Sequence, residues 1–326
     1  EYLALGYLLN QNMLKAGEDV KAAEISYKIN SASVREKLAQ AYSGLMKAQE
    51  LVKISEEILS LRKKQLADIR LRYQAGREHK GSLLSVEADL MQAEAEKRQA
   101  DEALALAQAG LADMLGMESG GLSVRTDFSS FVDTSKAPDF DKLLADNPSF
   151  LVLAAQKNSA ANSAGAAISA FFPSVSLSAS AGRSDASLPL EDTRWSFGIN
   201  ASLQLFDSGI LLAQSSAAQA SLRQAEAALD EGGRAVILGL KQAWNDLKNS
   251  AENLAVQEKY LQAANERARI SDAQYKNGLL NFDNWTIIQN SLVSSRKSYL
   301  NAQAGLLVKE AAWIKAKGGT LEEEKQ

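Results

Sequence analysis

The sequence predicts a mainly α fold of long antiparallel coiled-coil helices that carries a membrane β-hairpin. Three observations predict it. Large apolar residues recur every seven positions over long stretches, the pattern occurs twice, and between the copies the apolar period drops to two.

The heptad is clearest in 207–275, a stretch without proline in which Leu240, Leu247, Leu254, Leu261, Ala268 and Tyr275 form one column. Seven residues fall just short of two turns of a straight helix, so a strict column of this kind winds a helix left-handedly against a partner. At ~1.5 Å per residue the helix runs for about 100 Å, far more than a globular core needs. A second column, Val236, Ala243, Ser250, Gln257 and Ala264, is mostly small and admits another helix at close range. One bulky and one small seam let a helix touch two neighbours, as a closed ring of helices requires.

Tyr73, Gln74, Ala75 and Gly76 correspond to Tyr275, Lys276, Asn277 and Gly278, 202 positions on (73 to 275). The same offset aligns Leu38, Leu45, Val52, Leu59, Leu66 and Tyr73 with the column above. Gln40, Ala41, Glu50 and Glu56 are identical to Gln242, Ala243, Glu252 and Glu258, and Leu83, Leu90, Leu104, Leu111 and Gly116 match Trp285, Leu292, Leu306, Trp313 and Gly318. The chain is a tandem duplication. Each copy reads as a long helix, a turn at glycine and a shorter returning helix: Gly6 to Tyr73 then Ser82 to Leu115 within 6–116, and Asp207 to Tyr275 then Asn284 to Lys317 within 207–318. Glycine just past a helical pattern is the usual stop signal, because it enters the left-handed region without strain.

Between the copies, 117–147 holds Gly120, Gly121 and Pro138 with short apolar runs at Leu122 to Val124 and Phe128 to Val132, and predicts a small mixed collar. Pro148 opens an alanine-rich helix running to about Ala170, within 148–172. In 173–206 the period becomes two. Val175, Leu177, Ala179 and Ala181 alternate with serines, and after the charged loop Arg183 to Arg194 the residues Trp195, Phe197, Ile199, Ala201, Leu203 and Leu205 alternate with polar ones. Each run has about the 9 to 11 residues that a tilted strand needs to cross a bilayer, with aromatics at the ends. A lone hairpin of this kind also suits a soluble protein with one wet face. Here it stands between two very long helices without another sheet to pack on, which points to lipid, and two or four strands cannot close a barrel without other copies. Under the offset, Leu3 and Leu5 correspond to Leu205 and Asp207, so 1–5 is expected to be the end of an earlier strand, with its hairpin and any signal peptide missing in front. Residues 319–326 form a short tail.

Net charge is −4, and charges of both signs are interspersed, so no basic stripe suits nucleic acid. The absence of cysteine removes disulfides, thiolate nucleophiles and cysteine metal sites together. Glycine loops that cradle phosphate and metal-spaced clusters are lacking, so neither cofactor nor metal is expected. Gly182 to Ala186 misses the nucleophile-elbow pattern by its last glycine. Glu94 and Glu96 read as a solvated helix face. His79, in the turn Arg77, Glu78, His79, Lys80, reads as a solvated turn residue rather than a pH sensor. No enzyme is expected.

The paired tips (Tyr73 to Gly76, Tyr275 to Gly278), the Asn147, Pro148 helix start, the Phe172, Pro173 strand entry and the Leu205, Phe206, Asp207, Ser208, Gly209 strand exit together resemble the TolC-type outer-membrane efflux family, over the whole chain. The resemblance implies a homotrimer whose strands form one twelve-stranded β-barrel in outer-membrane lipid of a Gram-negative bacterium. Its helices would continue as a trimeric α-barrel in the periplasm. It implies a passive exit duct that docks at its tips with a periplasmic adaptor protein and an inner-membrane transporter, and opens by an iris-like shift of the tip helices.

The family's tip tyrosine is matched by Tyr275. Tyr73, Gly76 and Gly278 mark the adaptor-facing turns. Where relatives carry two pore aspartates and a latching arginine, this chain has Asn284, Ile287 and Leu280, and Ser82 stands at the equivalent place of the first copy; Asp283 is one residue away. The resemblance therefore implies a tip closed by hydrogen bonds from Tyr275, Asn284 and Ser82 with apolar contact from Leu279, Leu280, Phe282 and Trp285. Trp285 itself heads the column of Leu292, Tyr299, Leu306 and Trp313 and is expected to pack the core. Val175, Leu177, Ala179, Phe197, Ile199 and Leu203 are expected to face lipid. The competing class is a soluble or periplasmic coiled-coil scaffold without a pore, which would tolerate a charge on those strand positions.

Overall fold

The computed structural model describes residues 2–118, 121–126, 128, 132–183 and 193–321. In order they form α1 (Tyr2–Gln74), α2 (Lys80–Leu115), α3 (Phe140–Ala145), α4 (Pro148–Ser169), β1 (Ser174–Arg183), β2 (Thr193–Ser202), α5 (Ile210–Lys276) and α6 (Phe282–Ala316). The strand-connecting loop at 184–192, most of the apolar run 128–132, Gly120 and the tail from 322 lie outside the described residues.

All four prolines of the chain fall between 138 and 189, so α1, α2, α5 and α6 run free of the residue that would break them. Each of the four stops in the same way. Gly76, Gly116, Gly278 and Gly318 take φ of 67°, 65°, 74° and 85°. At each, the glycine N–H and the next N–H bond back to carbonyls three and five residues earlier: Gly76 N to Tyr73 O at 3.0 Å and Arg77 N to Arg72 O at 2.8 Å, and likewise Gly278 N to Tyr275 O at 3.0 Å and Leu279 N to Gln274 O at 2.9 Å. This is the Schellman closure that satisfies the last helical carbonyls. Equivalent glycines of the two copies do equivalent work, which carries the duplication down to the hydrogen bond.

The chain divides into two compact units. One comprises Glu1–Asn30 and Phe140–Leu238, the other Ser31–Asp139 and Gly239–Gln326.

The first unit carries the hairpin. β1 and β2 pair antiparallel, with Val175 opposite Ala201, Leu177 opposite Ile199, Ala179 opposite Phe197 and Ala181 opposite Trp195. These share one face. The other face pairs Ser174 with Ser202 (Oγ to Oγ 2.7 Å) and Ser180 with Ser196 (2.9 Å). The ladder ends at Ser174 and Ser202, so Leu203, expected in the strand, lies beyond β2. The reason is local: the next partner for Leu203 would be Pro173, which has no N–H to give. Asp207, expected to open the long helix, caps it instead. Its carboxylate accepts from Gly209 N at 3.0 Å and Leu211 N at 2.5 Å, and the helix starts at Ile210.

In the same unit Asn147 caps α4 by accepting from Ser149 N at 3.0 Å, with Pro148 in the first turn. α4 seats on α5 where the latter offers two glycines. A Cβ on Gly232 would stand 2.1 Å from Leu153, and one on Gly233 would stand 3.4 Å from Phe150. Residues 2–5, expected as a strand end, are helical from Tyr2. The described residues offer them no strand to pair with, and a helix satisfies its own backbone groups without a partner.

The second unit carries the coiled-coil cores. In α5 the predicted column is buried at Leu240, Leu247, Ala268 and Tyr275 and half-buried at Leu254 and Leu261. In α1 the predicted column is buried only at Leu45, while Leu38, Val52, Leu59 and Leu66 are half-buried and Tyr73 is exposed. The deep seam runs three residues further on, through Ala48, Ser55, Arg62 and Ile69. A buried arginine is tolerable there because it is partnered: Arg62 bonds Gln65 Oε1 at 2.9 Å, Asn290 Oδ1 on α6, and Asp89 on α2 at 3.4 Å. Glu96, expected on a solvated face, is half-buried and pairs with Lys297 at 2.6 Å. Around the collar, 121–126 forms no strand. Gln49 imitates one by accepting from Val124 N (2.9 Å) and donating to Val124 O (3.2 Å), while Gln108 donates to Leu122 O at 2.9 Å.

Candidate functional site

The candidate site is the pair of helical tips in the second unit. Both returning helices start from caps at equivalent positions: His79 Nδ1 accepts from Ser82 N at 3.2 Å, and Asn281 Oδ1 accepts from Asn284 N at 3.0 Å. Between the tips lies an apolar cluster of Ile69, Val86, Tyr275, Phe282 and Trp285, with Leu66, Leu83 and Leu280 against its sides. Trp285 stacks on Tyr275 at 4.7 Å between centroids and 16° between planes, and Phe282 meets both rings tilted, at 6.5 Å from Tyr275 and 6.1 Å from Trp285. Aromatic pairs in these geometries add about 0.5–1.5 kcal/mol each beyond the area they bury. Trp285 is 4% exposed, and its indole N–H has no hydrogen-bond partner among the described residues, so the ring serves packing, as expected.

Tyr275 is the centre of the cluster. Its hydroxyl donates to Glu78 Oε1 at 2.5 Å, and the Arg72 guanidinium lies 4.7 Å from its ring centroid while donating to Lys276 O at 3.3 Å. Burial first, and then the hydrogen bond to the Glu78 carboxylate, push the phenol far above its ordinary titration range. The hydroxyl is therefore a fixed donor, joining the second hairpin to the turn of the first.

The other residues expected at the tip take several places around this bond. Ser82 is buried, at 1% exposure, with its Oγ 3.3 Å from His79 Nε2. Asn284 gives its backbone N–H to the cap of α6 and is exposed, as are Asp283 and Ile287. Leu280 packs on the cluster and Leu279 is exposed. Gly76 and Gly278 form the turns. Tyr73, the sequence equivalent of Tyr275, is 39% exposed.

Sequence reasoning missed Glu78, Arg72 and the capping role of His79. A signal for Glu78 existed, because the offset of 202 sets it opposite Leu280, the place already singled out in the second copy.

At the hairpin, the alternating apolar residues lie exposed on one face. Val175, Leu177, Phe197 and Ile199 are 41%, 66%, 63% and 72% exposed on one face, and Ala179 lies between Leu177 and Ala181 on the same face. Leu203 is 48% exposed but outside the ladder. Among the described residues no helix is long and apolar enough to cross a membrane.

Long paired helices and an apolar-faced hairpin, with duplicated glycine-capped tips, define a TolC-type outer-membrane channel protein. The chain belongs to the outer membrane efflux protein family, whose model matches residues 140–319. Its place is the outer membrane of a Gram-negative bacterium. Solved structures share the fold. The outer membrane protein VceC of Vibrio cholerae is 22% identical with a TM-score of 0.83, covering 98% of this chain and 77% of that one. CusC is 20% identical at a TM-score of 0.86, covering 97% and 75%. The open state of the MtrE outer membrane channel of Neisseria gonorrhoeae is 20% identical at 0.85, covering 98% and 74%. No curated protein matches the sequence.

Proposed function

We propose that the protein is a passive exit duct that works as a homotrimer. Its hairpin joins strands of two sister copies in a twelve-stranded barrel, and its helices form the wall of a periplasmic tunnel. The observation that carries this is the hairpin itself: a two-stranded ladder with an exposed apolar face and open edges. Such a ribbon is stable in lipid only when further strands complete it.

At the other end, the tips dock with a periplasmic adaptor and an inner-membrane transporter, and an iris-like movement of the second hairpin opens the tunnel. The Tyr275 to Glu78 bond and the aromatic cluster support this reading of the tip, since that bond, the Arg72 to Lys276 O bond and a non-directional apolar contact join hairpins that must part. With Asn284 and Ile287 in place of the relatives' aspartates, conductance is only weakly blocked by divalent cations.

The test uses the full-length protein. It should fractionate with the outer membrane, run as three copies in detergent and conduct ions in planar bilayers. Ile199→Arg, on the lipid face, should cost about 2–4 kcal/mol of barrel stability, whereas Ser176→Arg on the opposite face should be tolerated. A water-soluble monomer, indifferent to a charge at Ile199, would be the pore-less scaffold instead.

A further inference from the structure

We propose that the first tip is a proton-operated latch, in which protonation of His79 undoes the cap of α2 and, through the neighbouring Glu78, releases Tyr275. The switch is local to the chain; its consequence for conductance rests on the channel reading above.

His79 sits in an extended conformation (φ −94°, ψ 162°) as the cap of α2. Nδ1 accepts from Ser82 N at 3.2 Å, and the Ser82 hydroxyl lies 3.3 Å from Nε2. To accept, Nδ1 must carry no proton, so the cap exists only with the neutral imidazole protonated on Nε2. A second proton sets a donor against a donor and adds a positive charge where the helix dipole is already positive. Both effects oppose the cap. Helix caps are ordinarily Ser, Thr, Asp or Asn, which gain no proton in this range. The second copy follows that rule with Asn281, which holds Asn284 N at 3.0 Å. The duplication thus supplies its own control: same place, same bond, one cap titratable and one not.

Histidine is the side chain whose charge ordinarily changes between about pH 5 and 8, and His79 is the only one in the chain. Of the charged groups around it, Arg72, Glu78 and Lys276 have partners of their own. Arg77 and Lys80 share its turn. From α1, Arg72 lies over the Tyr275 ring and bonds Lys276 O, and Asp68 acts on Tyr275 and Lys276 through its charge. From α5, Lys276 pairs with Asp272 at 2.7 Å, and α6 brings Asp283 in its first turn. Among the described residues the imidazole's hydrogen-bond partner is Ser82. Glu78 is the residue before His79, and its carboxylate holds the Tyr275 hydroxyl. Loss of the cap bond frees the first turn of α2 and with it the short turn 77–79 that holds Glu78 against the phenol.

The cysteine-free chain permits a single spin label at Ala75→Cys, beside the exposed turn. In the full-length protein the label should be ordered at about pH 7.5 and mobile at about pH 5.5, and His79→Asn should keep it ordered at both, across the range in which histidine titrates. In planar bilayers the same acidification should raise the open fraction about fivefold, the ratio that loss of one helix cap predicts, and His79→Asn should abolish the rise. A pH response that persists unchanged in His79→Asn, or a parent label that does not respond, overturns the latch. A label that responds as expected in a protein without conductance at either pH keeps the latch and overturns the channel.

Discussion

The two tips share a backbone and differ in almost every side chain that matters. Both end a long helix in a left-handed glycine and start the next from a cap three residues on. Yet Tyr275 is buried at 5% exposure while Tyr73 is 39% exposed, and the cluster draws its three rings from the second tip alone. The first supplies the aliphatic wall, Ile69 and Val86, and the charged groups Arg72 and Glu78 that grip Tyr275. Duplication produced two equal hairpins, and divergence made one the plug and the other its socket.

The comparison breaks most sharply at Trp285. Trp285→Ala should cost about 3–5 kcal/mol by emptying the centre of the cluster, read as a fall in the thermal midpoint. Leu83→Ala, its half-buried equivalent, should cost clearly less. If the two falls are alike, the cluster is not centred on the second tip.

A smaller effect separates the tyrosines. Tyr275→Phe leaves the Glu78 carboxylate without its donor and should cost about 1–2 kcal/mol, whereas Tyr73→Phe should be silent in the same denaturation measurement. The same pair has a pH signature. The Tyr275 phenol titrates higher in the folded protein than in the unfolded chain, where the ordinary value is about 10. Its contribution is therefore complete below about pH 10 and is lost as pH climbs above it, where the unfolded chain ionises first. Tyr275→Phe should flatten that alkaline loss relative to the parent protein.

Smallest is the change that should not tell the tips apart. Gly76→Ala and Gly278→Ala each place a Cβ in open space but at positive φ, so both should cost about 1 kcal/mol through backbone strain. Unequal costs would mean that the turns differ in more than their side chains.

The long helices, their glycine stops, the hairpin and the duplication were legible because each is written in local or periodic signals: heptads, absence of proline, alternation. The Asn147 cap was legible for the same reason. What failed did so where the partner decides. The strand end expected at 2–5 became helix because no described strand pairs with it, and Leu203 left the ladder because it would face Pro173. The α1 seam moved onto Arg62 because Asp89 and Asn290, distant in sequence, satisfy its guanidinium. The tip is a separate case: the analogy with relatives' aspartates singled out Asn284 and Ile287, both exposed, while Glu78 emerged only from its contact with Tyr275 in the folded chain.

By itself the sequence determined the elements, their order, their repetition and the two-faced ribbon, since period and turn chemistry act within a few residues of the chain. Only the tertiary structure decided which copy of each repeated residue is buried and what it holds. Tyr73 and Tyr275 begin with the same helical neighbourhood, and the difference between them is made by Arg72, Glu78, Phe282 and Trp285 converging from three other segments upon one ring.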